Sequence, residues 1–252
     1  MMDLFTLPVF VICALATLFA GISKGGFGSG VAFASAAILA LVLDPGVALG
    51  LMLPLLMLID VASLPAYWRK WDWGAGSVLI IGAVPGIVIG ALFYAAANAD
   101  LIRMIIGAVA LAFVVWQAAV AYGLMRPGAQ RFGFKAGIMA GLALGFTSFV
   151  SHAGGPAAAV FMLGLGLNKL RYQATTVLVF WIVNFLKSGI YAGMGIFTQQ
   201  SLLLDLALAP FAVLGAWIGI RAHRLVPERL FFAITYVALT VTGLRLIWVA
   251  LT

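Results

Sequence analysis

Long apolar runs, separated only by short polar stretches, dominate this chain and leave it few ways to fold. The runs fall at about 5–20, 31–43, 46–66, 77–96, 102–123, 135–149, 156–167, 172–194, 203–220 and 229–250. Water disfavours so apolar a chain as a compact domain, and hydrocarbon offers no partner to a free backbone N–H or C=O. Helices satisfy their own backbone and are the open-chain solution, since each unpaired group costs several kcal/mol in lipid. Composition agrees: 65% of residues are hydrophobic and 8% charged, where a soluble domain carries about 25% charged. The expected fold is an all-α polytopic membrane protein without a separate soluble domain.

Crossing about 30 Å of hydrocarbon takes roughly 20 residues. The runs 31–43 and 156–167 reach less than about 20 Å as helices. Each is expected to pair with the run before it as a re-entrant hairpin of half-length helices, with tips at 21–30 and 148–155. Three full spans follow each hairpin, giving eight spans or ten helical segments. Glycine rows at Gly82, Gly86 and Gly90, at Gly137, Gly141 and Gly145, and at Gly215 and Gly219 predict close helix contacts.

The net charge of +7 has a topological cause and does not call for a nucleic-acid partner. Changing sides at every full span puts Arg69, Lys70, Arg126, Arg131, Lys135, Lys169, Arg171, Arg221, Arg224 and Arg229 on one side. Arg103 falls on the other, with Asp3, Asp44, Asp100 and Asp205. By the positive-inside rule the basic side is cytoplasmic. Both termini then face outward, the periplasm if the membrane is a bacterial inner membrane. Trp68, Trp71 and Trp73 suit an interfacial belt on the cytoplasmic side. Residues 1–5 lack the basic region of a cleavable leader, so the first run is expected to stay. Cys13 is the single cysteine, which rules out an intrachain disulfide.

The two halves, 1–125 and 132–252, align in pieces. Gly25-Gly26 matches Gly154-Gly155, Pro85 with Gly90-Ala91 matches Pro210 with Gly215-Ala216, and Asn184 falls opposite Asp60. An odd number of crossings per half makes the second repeat inverted. Inverted repeats with interrupted helices point to a binding site near the midplane, at the repeat interface. The two tips should meet there.

The tips read Gly21-Ile22-Ser23-Lys24-Gly25-Gly26-Phe27-Gly28-Ser29-Gly30 and Thr147-Ser148-Phe149-Val150-Ser151-His152-Ala153-Gly154-Gly155-Pro156. Glycines permit sharp turns and close approach of a ligand to backbone. Each tip precedes a helix start, whose free N–H groups and dipole favour an anion. Ser29 and Ser151 either cap those helices or donate to a ligand. Lys24 adds a full positive charge, which inside a membrane needs an anionic substrate or a carboxylate beside it; on a ten-span topology it would instead be a cytoplasmic loop lysine. His152 either donates to an oxyanion, carries a coupling proton, or sits neutral against the hairpin backbone. Asp60 either neutralises Lys24, relays protons or bonds a backbone group freed by a proline. Lys187 either lines the exit path or snorkels to the outer interface, and Arg245 is expected at that interface. The candidate substrate-binding set is Lys24, Gly25, Gly26, Gly28, Ser29, Ser151, His152, Gly154 and Gly155, with Asp60, Asn184 and Lys187 on the pathway. There is no zinc signature, no Gly-x-Ser-x-Gly and no P-loop order. Neither an enzyme nor a cofactor or metal protein is expected.

The first tip, the stretch Phe149-Val150-Ser151-His152-Ala153-Gly154-Gly155-Pro156 and Trp71-Asp72-Trp73 resemble the TauE/SafE family of sulfite and organosulfonate exporters. Lys24 stands where most members have an uncharged, more glycine-rich tip. The resemblance implies export of a small sulfur-containing anion such as sulfite or sulfoacetate, with the lipid bilayer as the other partner. The residues themselves point only to a small anion. A carrier of another anion such as a carboxylate, an importer, a passive channel and a membrane-embedded enzyme are the rival readings, and a homodimer is compatible with the sequence. The topology has a direct test. A cysteine placed at Asp44 in a Cys13→Ala background should react with a membrane-impermeant maleimide in intact cells; reaction only after lysis would reverse the orientation.

Overall fold

The computed structural model describes residues 6–27, 32–124, 132–222 and 228–252, with the side chains of 228–232 excepted. Gly28, Ser29, Gly30, Arg126, Arg131 and Arg224 lie outside the described residues, as does the side chain of Arg229. Ten α-helices follow one another among the described residues: α1 Leu7–Ile22, α2 Phe33–Leu39, α3 Pro45–Tyr67, α4 Trp73–Ala96 and α5 Ala99–Ala121 in the first half. The second half holds α6 Phe134–Ser151, α7 Gly155–Gly164, α8 Lys169–Gly193, α9 Gln199–Ala222 and α10 Glu228–Leu251. Eight stretches among the described residues are long and apolar enough to cross a membrane. Large apolar side chains such as Leu92, Val115, Leu206 and Trp248 stand exposed on their outer faces, as lipid-facing residues do. The chain is an all-helical, multi-pass membrane protein.

The helix ends follow from local chemistry. Asp44, Asp72, Asn98 and Asn168 cap α3, α4, α5 and α8, each accepting a backbone N–H of the first turn. Such caps satisfy donors that the helix itself leaves free. Pro156 stands in the first turn of α7, where its missing N–H leaves no bond unmade. Trp68, Trp71 and Trp73 meet edge to face at the junction of α3 and α4.

The arms that precede the short helices are longer than their apolar runs suggested. α1 does not stop near Ala20: it continues into a π-helical turn, Ser23–Phe27, making a stretch of 21 residues. α6 likewise runs on to Ser151, 18 residues in all. Only the return arms are short, 7 residues in α2 and 10 in α7. Asp205, counted with the outer-side charges, lies inside α9 and is buried.

Glycine decides how the long arms are seated. The rows on α4 and α6 interlock: a Cβ on Gly82, Gly86, Gly141 or Gly145 would run into the backbone of the facing helix. On α9, Gly215 and Gly219 meet α1 and the π-turn in the same way, against Gly21, Ile22 and Gly26. Without a hydrophobic driving force inside lipid, this backbone-to-backbone fit is what associates helices. A methyl added at Gly86 would sit on the Leu142 carbonyl and 2.9 Å from the Phe146 nitrogen. Gly86→Ala should therefore cost about 1–3 kcal/mol by overpacking. Gly189→Ala, with nothing within 4 Å, should leave stability unchanged or raise it. Thermal unfolding of the detergent-purified variants distinguishes them, and equal melting temperatures would refute the interlocked rows.

Candidate functional site

The π-turn places Lys24 where its side chain can lean back into the bundle, because helical Cβ atoms point toward the N-terminus. Two backbone carbonyls of that turn are taken by side chains from other helices. Tyr67, at the end of α3, donates its hydroxyl to Gly25 O at 2.7 Å, and Gln173 of α8 donates Nε2–H to Lys24 O at 2.5 Å. The turn is thus fixed from outside. π-turns carry such irregular bonding and recur at functional sites.

The Lys24 ammonium meets Asp60 of α3 at 2.6 Å, and both are nearly inaccessible, at 2% and 0% exposure. Asn184 of α8 donates to the other Asp60 oxygen at 2.8 Å. Phe180 presents its ring 5.6 Å from the same ammonium, a cation–π distance. Of the readings open for Asp60, the structure shows the neutralising one.

The second arm ends in a different arrangement. Lys187 of α8 is fully buried, so it does not snorkel. Its ammonium donates to Ser148 O at 2.8 Å and to Ser148 Oγ at 3.1 Å, and lies 3.0 Å from His152 Nδ1. His152 Nε2 lies 3.1 Å from Leu49 O. A carbonyl only accepts, so Nε2 carries the ring hydrogen and Nδ1 accepts from Lys187. His152 is therefore a neutral imidazole, bonded to the α3 backbone and not to its own hairpin. It closes α6 in the left-handed conformation, φ 54°, uncommon for a residue with a Cβ. Tyr191 donates its hydroxyl to Phe149 O at 2.5 Å, tying this arm to α8.

Lys24, Ser148, His152 and Asn184 together line one small cavity, with Ala32, Phe33, Leu56 and Phe180 completing its wall. Its free volume, about 10 Å³, is room for about one water molecule. The two arms expected to converge do converge here. Other members of the expected set are placed elsewhere. Gly25 and Gly26 press on the backbone of Ala216 and Gly219, so their missing side chains serve helix contact. Ser151 donates to Thr147 O of its own helix; because α6 runs on to Ser151, its hydroxyl has a carbonyl one turn back, and it does not cap α7. Gly154 packs on Leu144 and Ser148, and Gly155 begins α7. Arg245 is exposed and lines an outer pocket with Arg103 and Asp44, as an interfacial residue would.

Tyr67, Gln173, Ser148 and Tyr191 were not among the expected site residues. The two tyrosines act alike, each donating to a carbonyl 42 residues earlier in the chain.

A family model described as sulfite exporter TauE/SafE matches residues 13–246 of the chain. No curated protein matches it, and no solved structure does.

The Lys24–Asp60 pair sets up a cycle of substitutions. Asp60→Asn leaves an ammonium without a counter-charge in a water-poor interior and should cost about 3–5 kcal/mol. Lys24→Gln with Asp60→Asn removes both charges and should restore most of that loss. Thermal unfolding in detergent reads the coupling, and simple additivity of the two single losses would show that the pair does not exist.

Proposed function

The chain belongs to the TauE/SafE family of sulfite exporters, and from that premise we propose that it exports a small sulfur-containing anion by alternating access. Sulfite and small organosulfonates fit the chemistry best. One observation carries the reading: the buried cluster holds two lysines and one carboxylate. Asp60 balances Lys24, whereas the bonds of Lys187 go to Ser148 and the neutral ring of His152. No carboxylate is left for Lys187, and in this environment, where uncompensated charge is costly, a proton on its amine needs an anion as partner. An entering anion supplies the balance.

The cavity, with room for about one water, is too small for an anion with three oxygens. Such a solute enters only if Asp60 leaves Lys24 or the arms part. Its oxygens then take N–H donors now occupied by Asp60, Ser148 and His152. Arg and Lys would be the family-independent choice for oxyanions, because charge-assisted bonds to them are the stronger kind. An inside-negative potential favours outward movement of an anion by about 2.3 kcal/mol per charge per 100 mV.

Residues 1–125 and 132–252 are proposed as two inverted repeats. Asp44 and Asn168 cap α3 and α8, Asp60 and Asn184 face each other, and Tyr67 and Tyr191 hold their respective arms. Every second-half residue in these pairs lies the same number of positions after its partner. This spacing supports the repeat, and it pairs Gly25 with Phe149 instead of Gly154. Packing is exchanged between the halves, α1 on α9 and α6 on α4. Arg69, Lys70, Lys169, Arg171 and Arg221 gather at the Tyr67 end of the bundle, which supports a cytoplasmic placement of that end and periplasmic termini.

Counterflow in proteoliposomes tests the function, with sulfite, sulfoacetate and acetate compared. Saturable exchange of the sulfur anions over acetate is expected. Lys24→Gln, combined with Asp60→Asn so that no carboxylate is stranded, should weaken the apparent affinity about tenfold or more, the worth of a charged hydrogen bond. Unchanged affinity in the folded double variant would remove Lys24 from the site. Flux that never saturates would make the protein a channel, and preference for acetate would change the substrate class.

A further inference from the structure

A second buried carboxyl lies apart from the cluster just described. Asp205 sits in the second turn of α9, 7% exposed, and neither carboxyl oxygen has a hydrogen-bond partner among the described residues. It forms part of the wall of a groove of about 320 Å³ between α3 and α9, with Pro54, Leu55, Leu58, Leu202, Leu206 and Ala209. Leu202 and Leu206 are exposed on the outer face, so the groove opens toward lipid.

The groups around Asp205 offer it nothing to pair with. From α1 the Cys13 thiol is the titratable group that reaches it. α3 brings Pro54, Leu55 and Leu58, and its own helix Leu202, Leu206 and Ala209. The π-turn also packs on α9, but its Lys24 is engaged by Asp60. A carboxylate is acceptor-only, and one stranded in apolar surroundings is costly. The neutral acid is the form that these neighbours tolerate.

The position of Asp205 on α9 links it to the anion site. Pro210, one turn further on, cannot donate to the Leu206 carbonyl, so the helix is weakest there. Beyond that point α9 carries Ala216 and Gly219, the residues on which Gly25 and Gly26 rest. Asp205 and the support of Lys24 thus lie on opposite sides of one weak point in one helix. On α1, Cys13, Thr17 and Gly21 follow at helical spacing, and the buried Thr17 hydroxyl also lacks a partner among the described residues.

We propose that Asp205 is a proton-binding site that links proton movement to transport of the anion. It holds its proton in the conformation seen here and releases it when α9 bends at Pro210 and opens the groove to water. This rests on the transport reading above, and the test separates the two. Dicyclohexylcarbodiimide partitions into lipid and reacts with protonated carboxyls. The acid O–H adds across one N=C bond, and an acyl shift leaves a stable N-acylurea with no leaving group. Purified protein in a Cys13→Ala background should gain one adduct, mapped to Asp205, that diminishes as pH is raised and is missing from Asp205→Asn. No adduct at Asp205, or one indifferent to pH, overturns the proposal whether or not the protein transports. In liposomes, a one-unit pH gradient should drive up to about tenfold accumulation of sulfite per coupled proton. That ratio should fall to about one in Asp205→Asn. Gradient-driven accumulation that survives Asp205→Asn also overturns it, while loss of all anion exchange in the wild type would sink the transport reading and leave the labelling result standing.

Discussion

A lysine and an aspartate share one contact in a region with almost no water, and the rest of the architecture is arranged to make that contact tolerable. Separately, each charge would oppose insertion by about 2.5–3.5 kcal/mol even on the mildest scale. Together they still lose hydration that their attraction repays only with good geometry and extra hydrogen bonds. Asn184 and the Phe180 ring supply that support. Four separate elements, the π-turn, α3, α8 and, through backbone contact, α9, must be in register for the pair to form.

That register comes from the absence of side chains. Gly25 and Gly26 lie so close to α9 that any Cβ would strike its backbone, which pins the turn that carries Lys24. The same device holds α6 against α4 and so fixes Ser148 and His152. Small-residue contacts are short-range and steric, which makes them exacting about distance and tolerant of sliding along a row. Helices that interlock this way can be rigid in one conformation and still move past one another in another, as the proposed alternating access requires.

Most of the fold was legible because hydrocarbon permits so few backbone solutions: run length and apolarity sufficed for six of the eight long helices among the described residues, while α1 and α6 were read as half-length arms. The errors arose where a local window could not see a distant partner. Ser23 and Lys24 were read as part of a hairpin tip beyond the first run because Asp60, which makes Lys24 tolerable, lies far along the chain. Gly25 and Gly26 looked ligand-facing because a glycine that admits a solute and one that admits a helix read alike. Asp205 was counted only as an outer-side charge because an unpaired acid within a span has no sequence signature of its own. The candidate site was legible in part: Asp60, Asn184 and Lys187 were identifiable as charged or polar groups inside apolar runs, and Lys24 and His152 as such groups at the glycine-rich tips. Tyr67 and Tyr191 were not, since a tyrosine at a helix end is ordinary until its hydroxyl is seen to hold a carbonyl.

Under the proposed repeat, equivalent positions carry unlike residues, and the difference is informative. The slots held by Lys24, Asp60 and Ser63 in one half are held by Ser148, Asn184 and Lys187 in the other. Each half keeps one ammonium but places it in a different slot, and only the first keeps a carboxylate. A duplicated scaffold with identical charges would set two like ion pairs about its axis, fully neutral and indifferent to an anion. Replacing one aspartate by asparagine removes a negative charge while keeping the amide that Asp60 needs as a donor. Lys187, bonded to the neutral acceptors Ser148 and His152, then has no carboxylate of its own, and on the proposed reading an oxyanion displaces both acceptors. On the proposed reading, the attraction for a negative solute lies in the asymmetry between the halves, while the symmetry proposed for them supplies the helices that hold it.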